Sequence, residues 1–306
     1  MQLTAINRFP VKSCRGEPTT SALVEPWGLA GDRRWMIVDD DGALITARDH
    51  PRLLLVTPRL HRAGGLDLNS PDAPHLRVAV PADRRLVPVS VFGNELLASL
   101  AAADAHAWFG KIIGASARLV YLDDPTRRRP NQRFATKHDR VSFADGYPLL
   151  LTTTASLDAL NELIAAGPLA GEGPLPMIRF RPSVVVSESS LVQAEPWEED
   201  GWRRVRIGAA EFRAVKGCDR CVITMVDPVT AEKGKEPLAT LARHRRWDGA
   251  TWFGMNLIPD TAGATVTVGD EVEILRSVPA PDGPPRSPAA SSSLRAAVPG
   301  QVGRAG

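Results

Sequence analysis

The sequence predicts a mixed, β-rich α+β protein with few helices, in two domains. Three observations point there. Short β-prone runs such as Arg34–Val38 and Leu86–Val91 crowd the first third of the chain. Only three stretches place apolar residues at helical spacing. Near the end, Thr265–Ile274 alternates strictly around Gly269-Asp270, which reads as strand, turn, strand and as the last piece of a barrel.

The elements follow in order. Arg34–Val38 and Leu44–Thr46 flank Asp39-Asp40-Asp41-Gly42, a hairpin turn in which glycine takes up positive φ at little cost. Leu53–Val56 reads as a buried strand, and His75–Val80 and Leu86–Val91 as further strands. The first helix spans Asp104–Ile113, with Ala105, Trp108, Phe109 and Ile112 on one face. The second spans Ala155–Ala166, with Leu157, Leu160, Leu163 and Ile164 as its stripe, Thr154 or Ser156 as N-cap and Gly167 past its end. Pro237–His244 is the third, with proline early in the helix. Residues 1–122 then form a β-barrel-like first domain and 123–277 a second domain with a barrel-like sheet. The Pro-, Ala-, Ser- and Gly-rich segment 278–306 has too little apolar surface to offset chain entropy and is predicted disordered.

Composition narrows the function classes. The net charge is only +2, so any anion site is local and a nucleic-acid-binding face is not expected. No apolar run approaches the roughly 20 residues that span a bilayer, and Met1–Pro10 is not a secretory signal, so no membrane partner is expected. Three cysteines, Cys14, Cys218 and Cys221, make no disulfide framework and fit a reducing, cytoplasmic compartment.

Six segments carry possible chemistry. Cys218-Asp219-Arg220-Cys221 is a C-x-x-C run. It admits a thioredoxin-like site, structural zinc, one thiolate presented to a soft metal, or plain packing. The following Val222–Val226 reads as a strand rather than a helix, which weighs against the first; the absence of a second pair weighs against the second. Arg220 beside a thiol favours thiolate. Lys12 and Ser13, in Pro10–Gly16, suit an anion without the spacing of a P-loop. Arg33, in Gly31–Trp35, and Arg181, in Arg179–Ser183, stand at strand ends, where an anion clamp and a surface charge look alike. Gly146 and Tyr147 lie in a turn before Leu149–Leu151, and Asn256 follows the aromatic-glycine run Trp252–Met255.

In order and spacing these segments resemble a known family: proteins with an N-terminal MOSC β-barrel domain followed by a MOSC β-barrel domain, typified by the mitochondrial amidoxime-reducing components and their bacterial counterparts. The matching pieces are Phe9–Cys14, Gly31–Trp35, Ile45–Arg48, Phe180–Pro182, Cys218–Cys221 with Val226–Pro228, Lys235–Leu238, and Phe253–Asn256 ahead of Val268–Asp270. The resemblance covers about Met1 to Leu275. It implies a Mo-molybdopterin cofactor, with Cys221 as both metal ligand and catalytic residue. It implies cofactor contacts from Lys12, Ser13, Arg33, Gly146, Tyr147, Arg181, Ser183, Asp219, Arg220 and Asn256. The family is also associated with pyridoxal phosphate binding. The activity implied is reduction of N-hydroxylated substrates (amidoximes, hydroxylamines, N-oxides). Electrons would come from an external donor protein, a ferredoxin or one similar to cytochrome b5. A non-catalytic carrier of cofactor or sulfur is the alternative. Ser183 stands where the family has asparagine and Met225 where it has threonine. No cysteine follows Cys221, so no ferredoxin domain is expected in the chain.

Overall fold

The structure is a computed structural model that describes residues 1–61, 64–83, 85–188 and 194–286. It is β-rich with three α-helices, as the sequence predicts, but its sheets stay open rather than closing into barrels. The largest sheet runs in the order Val272–Ser277, Trp202–Ile207, Ala210–Asp219, Ala250–Pro259, Leu149–Thr153, Val184–Ser187, Gln2–Arg8 and Glu17–Thr19. Gln2–Arg8 pairs antiparallel with Val184–Ser187, so this sheet draws strands from both sides of Leu122. A four-stranded sheet (Trp35–Val38, Arg118–Tyr121, Asn94–Leu100, Leu86–Val91) and two three-stranded sheets complete the β structure.

Period-two burial explains most strands. In Ser21–Glu25 only Ala22 and Val24 are buried, and in Trp202–Ile207 the buried residues are Trp202, Val205 and Ile207. The parallel pair Leu149–Thr153 and Val184–Ser187 is buried on both faces and reads as continuous Leu and Val. Helix α1 (Ala103–Ile113) buries Ala105, Trp108, Phe109 and Ile112, the four residues of its predicted stripe. Helix α2 (Thr154–Ala165) is capped one residue earlier than predicted. Thr153 Oγ1 accepts from the Ser156 amide, which frees the Ser156 hydroxyl to donate to buried Glu199. Helix α3 spans Leu238–His244 behind Pro237. Among the described residues no helix is long and apolar enough to cross a membrane.

Four local predictions are corrected. Leu53–Val56 is not a strand: Pro51 sets φ for a 3₁₀ turn over Pro51–Leu55 that buries Leu53 and Leu54. Val222–Met225 is likewise a 3₁₀ turn, because the Cys221 carbonyl accepts from both the amide and the hydroxyl of Thr224. Thr265–Thr267 and Val272–Ser277 are both strands, but they diverge at Gly269 into different sheets, pairing with Ser21–Glu25 and Trp202–Ile207. Residues 278–286 of the predicted disordered segment are docked: Pro284 and Pro285 are buried, Pro285 O accepts from the Gly217 amide, and Arg286 pairs with Asp248. Proline loses little entropy on ordering, so a short proline-rich stretch docks with few apolar side chains. Residues 287–306 of that segment lie outside the described residues.

Gly254 holds the sheet together beside the cleft described below. Its φ is +77°, and a Cβ there would stand 2.7 Å from the Leu151 carbonyl oxygen of the next strand. Gly254→Ala therefore forces both a left-handed alanine and a parting of two central strands. The expected cost is about 3 kcal/mol in urea denaturation. A loss below about 1 kcal/mol would show that the strands move apart freely.

Candidate functional site

The cleft lies where loops from both halves of the chain meet. Its lining draws Lys12, Ser13, Arg33, Thr46, Arg48 and Phe92 from the first half. The second half adds the segment Ala144–Leu150, Phe180 and Arg181, the residues Cys218–Cys221, Ile223 and Asn256. The enclosed part of the cleft is about 110 Å³, and the rest opens to solvent. Every sequence-predicted site residue lines it except Ser183. That side chain is fully buried behind the wall, where its hydroxyl accepts from the Leu150 amide and stands 3.4 Å from the Arg33 guanidinium. Ser183 thus stands behind the lining, next to Arg33, rather than in it.

The lining is cationic. The lining carries Lys12, Arg33, Arg48, Arg181 and Arg220 against two lining carboxylates, Asp145 and Asp219. The fold supports these charges with local devices. Arg33 and Arg181 both lie over the fully buried Phe9 ring, 4.1 and 4.3 Å from its centroid. Arg33 pairs with buried Asp32, whose other oxygen accepts from the Phe9 amide at 2.7 Å. Arg181 donates to the Cys14 carbonyl at 2.7 Å. Burial, and then the neighbouring Arg33, pull the Arg181 guanidinium down to about 10. Two adjacent guanidinia repel, and a bound anion relieves that repulsion.

Lys12 is buried, donates to the Phe143 carbonyl at 2.8 Å and pairs with Asp145. Burial lowers its ammonium to about 8, with Asp145 working in the opposite direction. Desolvation at the cleft wall raises Asp145, whose side chain is largely exposed; the Lys12 charge, with Arg48 and Arg33 farther off, overrides it and holds the carboxyl well below its usual range. The segment carrying Asp145 is pinned by Arg128, a buried guanidinium bonded to the carbonyls of Ser142, Ala144 and Asp145. In sequence Arg128 looked like part of a polar loop; nothing local distinguishes it from Arg127 and Arg129.

The two thiols stand beside different arginines. Arg220 does not serve Cys221: it donates to Cys218 Sγ at 2.8 Å and to the Phe180 carbonyl at 2.6 Å. Arg48 lines the cleft beside Cys221 and pairs with Asp145 at 3.6 Å. Burial pulls the Arg48 guanidinium down, but hydrogen bonding to and charge on Cys221, with Asp145 adding, leave it above its ordinary range. Arg48 lies within Ile45–Arg48, one of the matching pieces, so the signal was present without a role. Burial pushes the Cys218 thiol up, against Arg220. Cys14 is fully buried in the core and burial raises it to about 12, which leaves it a packing residue.

The cleft also concentrates strained backbone. Among the described residues seven non-glycine residues have positive φ, and four of them line it: Ser13 (69°), Arg33 (46°), Phe92 (49°) and Arg181 (56°). Such conformations cost stability and persist where the surroundings enforce them, commonly at ligand sites. Asn256 donates to the Gly217 carbonyl at 3.0 Å, tying the strand Ala250–Pro259 to the one that ends in Cys218-Asp219.

The residues present fit an anionic, thiolate-ligated cofactor. A soft sulfur donor stands beside a permanent cation, and the remaining lining supplies excess positive charge. Tyr147, buried in the wall, has a hydroxyl with no partner among the described residues. Burial, and then Asp219, push its phenol up, so it stays a donor.

Comparison with known proteins agrees with this geometry. Residues 1–116 match the MOSC N-terminal beta barrel domain and residues 138–273 the MOSC domain. Mitochondrial amidoxime-reducing component 1 of Mus musculus is 32% identical, over 87% of this chain and 80% of its own. Mitochondrial amidoxime reducing component 2 of Homo sapiens is 32% identical, over 78% of this chain and 71% of its own. Molybdenum cofactor sulfurase of Oryza sativa subsp. japonica is 31% identical over 84% of this chain, which spans 32% of that protein. The chain belongs to the MOSC-domain family that includes the mitochondrial amidoxime-reducing components.

Proposed function

We propose that the protein is a molybdenum-cofactor-dependent reductase of N-hydroxylated compounds, working in a reducing cytoplasm with electrons from a separate ferredoxin or cytochrome b5-like protein. The observation that carries this reading is Cys221 in a cleft that Lys12, Arg33, Arg48, Arg181 and Arg220 also line. Relatives named for amidoxime reduction supply the substrate class.

When bound, the cofactor supplies two-electron redox chemistry at its metal. The chain does the rest. Lys12, Arg33 and Arg181 neutralise the phosphate end, and Asp145 opposes the loss of the Lys12 proton. Cys221 supplies the sulfur ligand, and Arg48 lines the cleft beside it. Arg48 also offers N–H donors to the oxygen of an N–O group brought beside Cys221. Phe9, at the backs of Arg33 and Arg181, keeps both guanidinia directed with little freedom to turn.

The test is elemental and pterin analysis of protein from a host that makes the cofactor, followed by benzamidoxime reduction with a chemical electron donor. About one molybdenum per chain and amidine production are expected. Metal-replete protein inert toward every N-hydroxylated substrate would sink the activity. The similarity to a molybdenum cofactor sulfurase favours a second reading, a carrier that hands on sulfurated cofactor. Tight cofactor retention without turnover, and transfer to a cofactor-free molybdoenzyme, would select it.

A further inference from the structure

We infer that Phe92 is a specificity-determining residue: its ring is the rim platform on which a flat, π-bearing substrate rests while its N–O group meets Arg48. The inference rests on the reductase reading for that N–O group. Three observations carry it. The first is backbone strain. Val91 pairs with Asn94, so Phe92 and Gly93 form a two-residue hairpin loop, with φ of 49° and 77°. A loop with both angles positive favours asparagine, aspartate or glycine at its first position; a bulky aromatic there is a rare choice.

The second is that packing does not compensate. Phe92 is 47% exposed, and the core of its sheet is built from Val89, Val91, Leu96 and Ala98 without it. The third is placement. The ring lines the cleft, with Lys12 Nζ 4.8 Å and Arg48 Cζ 5.2 Å from its centroid. Arg48 and Cys221 line the same cleft as this ring. Strain maintained at an exposed position beside a ligand cleft marks a role in binding rather than in folding.

The chemistry of the occupant follows from what the rim offers. The charged lining is matched by an anionic cofactor, so the exposed part of the Phe92 ring is left to the substrate. Aromatic surfaces stack in offset or edge-to-face contact and discriminate against small aliphatic groups. An aryl amidoxime, with its planar head conjugated to a ring, spans Phe92 and Arg48 together. A methyl-bearing one reaches Arg48 and leaves the ring bare.

The experiment uses cofactor-loaded full-length protein: wild type, Phe92→Asn and Phe92→Leu. Calorimetry gives Kd, and steady-state assays give KM, for benzamidoxime and acetamidoxime. The wild type is expected to prefer benzamidoxime. Phe92→Asn should weaken benzamidoxime about tenfold and bring the two Kd values together, and Phe92→Leu should fall between. Molybdenum per chain should match wild type. The unfolding midpoint of Phe92→Asn should stand at or above wild type, because asparagine suits the turn. An unchanged ratio of the two Kd values, a wild type that binds neither compound, or a lowered midpoint in Phe92→Asn would overturn the proposal. Binding selectivity that collapses in the variant while wild type reduces nothing would leave Phe92 in place and remove the reductase reading.

Discussion

Replacing Cys221 by serine is expected to strip the protein of molybdenum while leaving it folded. A serine hydroxyl is a harder donor than a thiolate and is not ionised near neutral pH, so it is a poor substitute toward a soft metal centre. Molybdenum content should fall by more than about 100-fold at equal cofactor supply, beyond what loss of a merely supporting group costs. Stability should change by less than about 0.5 kcal/mol. The structural work at this position is done by the Cys221 carbonyl, which accepts from the amide and hydroxyl of Thr224, and serine keeps that carbonyl. Elemental analysis and urea denaturation read the two effects separately. A serine variant that retains its molybdenum would remove Cys221 from the metal and with it the basis of the proposed activity.

The second large effect is on pH. The Lys12 ammonium is lowered by burial to about 8 in the folded protein, against 10.5 ordinarily. Below pH 8 both states carry the proton, and the cost of burying the charge is fully present. Between pH 8 and 10.5 the unfolded chain holds a proton that the folded protein has released, so stability rises with pH. The rise amounts to about 3 kcal/mol and levels off above 10.5. Anion binding runs the other way, because affinity for inorganic phosphate needs the charged form and falls as pH passes about 8. Urea denaturation of cofactor-free protein between pH 7 and 11, compared with Lys12→Met, isolates this contribution. The variant should be more stable than wild type at pH 7 and should lose the Lys12 component of the rise. Equal stability and parallel pH profiles for the two proteins would show that Lys12 is solvated and not held as the structure describes.

Much of the site was legible in the chain, because the residue types that bind an anionic, sulfur-ligated group are few. Lys12, Arg33, Arg181 and Cys221 stand out as cations and a thiol at turns between apolar runs, and they meet in one cleft. Their partners were less legible. Arg220 is adjacent to Cys221 in sequence, yet its guanidinium turns to Cys218, while Arg48, far away in sequence, lines the cleft beside Cys221. Ser183 sits beside the cleft in sequence and behind its wall in space. Neighbourhood along a chain says little about side-chain direction once the backbone leaves regular structure, and Arg33 and Arg181 are themselves in left-handed conformations.

By itself the sequence determined the β-rich class, the face of α1, the Leu160 and Ile164 half of the α2 stripe, and the inventory of charges and thiols available to a ligand. Those properties depend on local periodicity and residue chemistry, which no partner is needed to express. Tertiary structure alone decided that Thr265–Thr267 and Val272–Ser277 join different sheets, that Leu53 and Val222 begin no strand, and which arginine stands beside which sulfur. The physical reason is common to all three. Short apolar segments have several locally acceptable conformations, and the choice falls to whichever one buries its surface and satisfies its hydrogen bonds against residues distant in sequence.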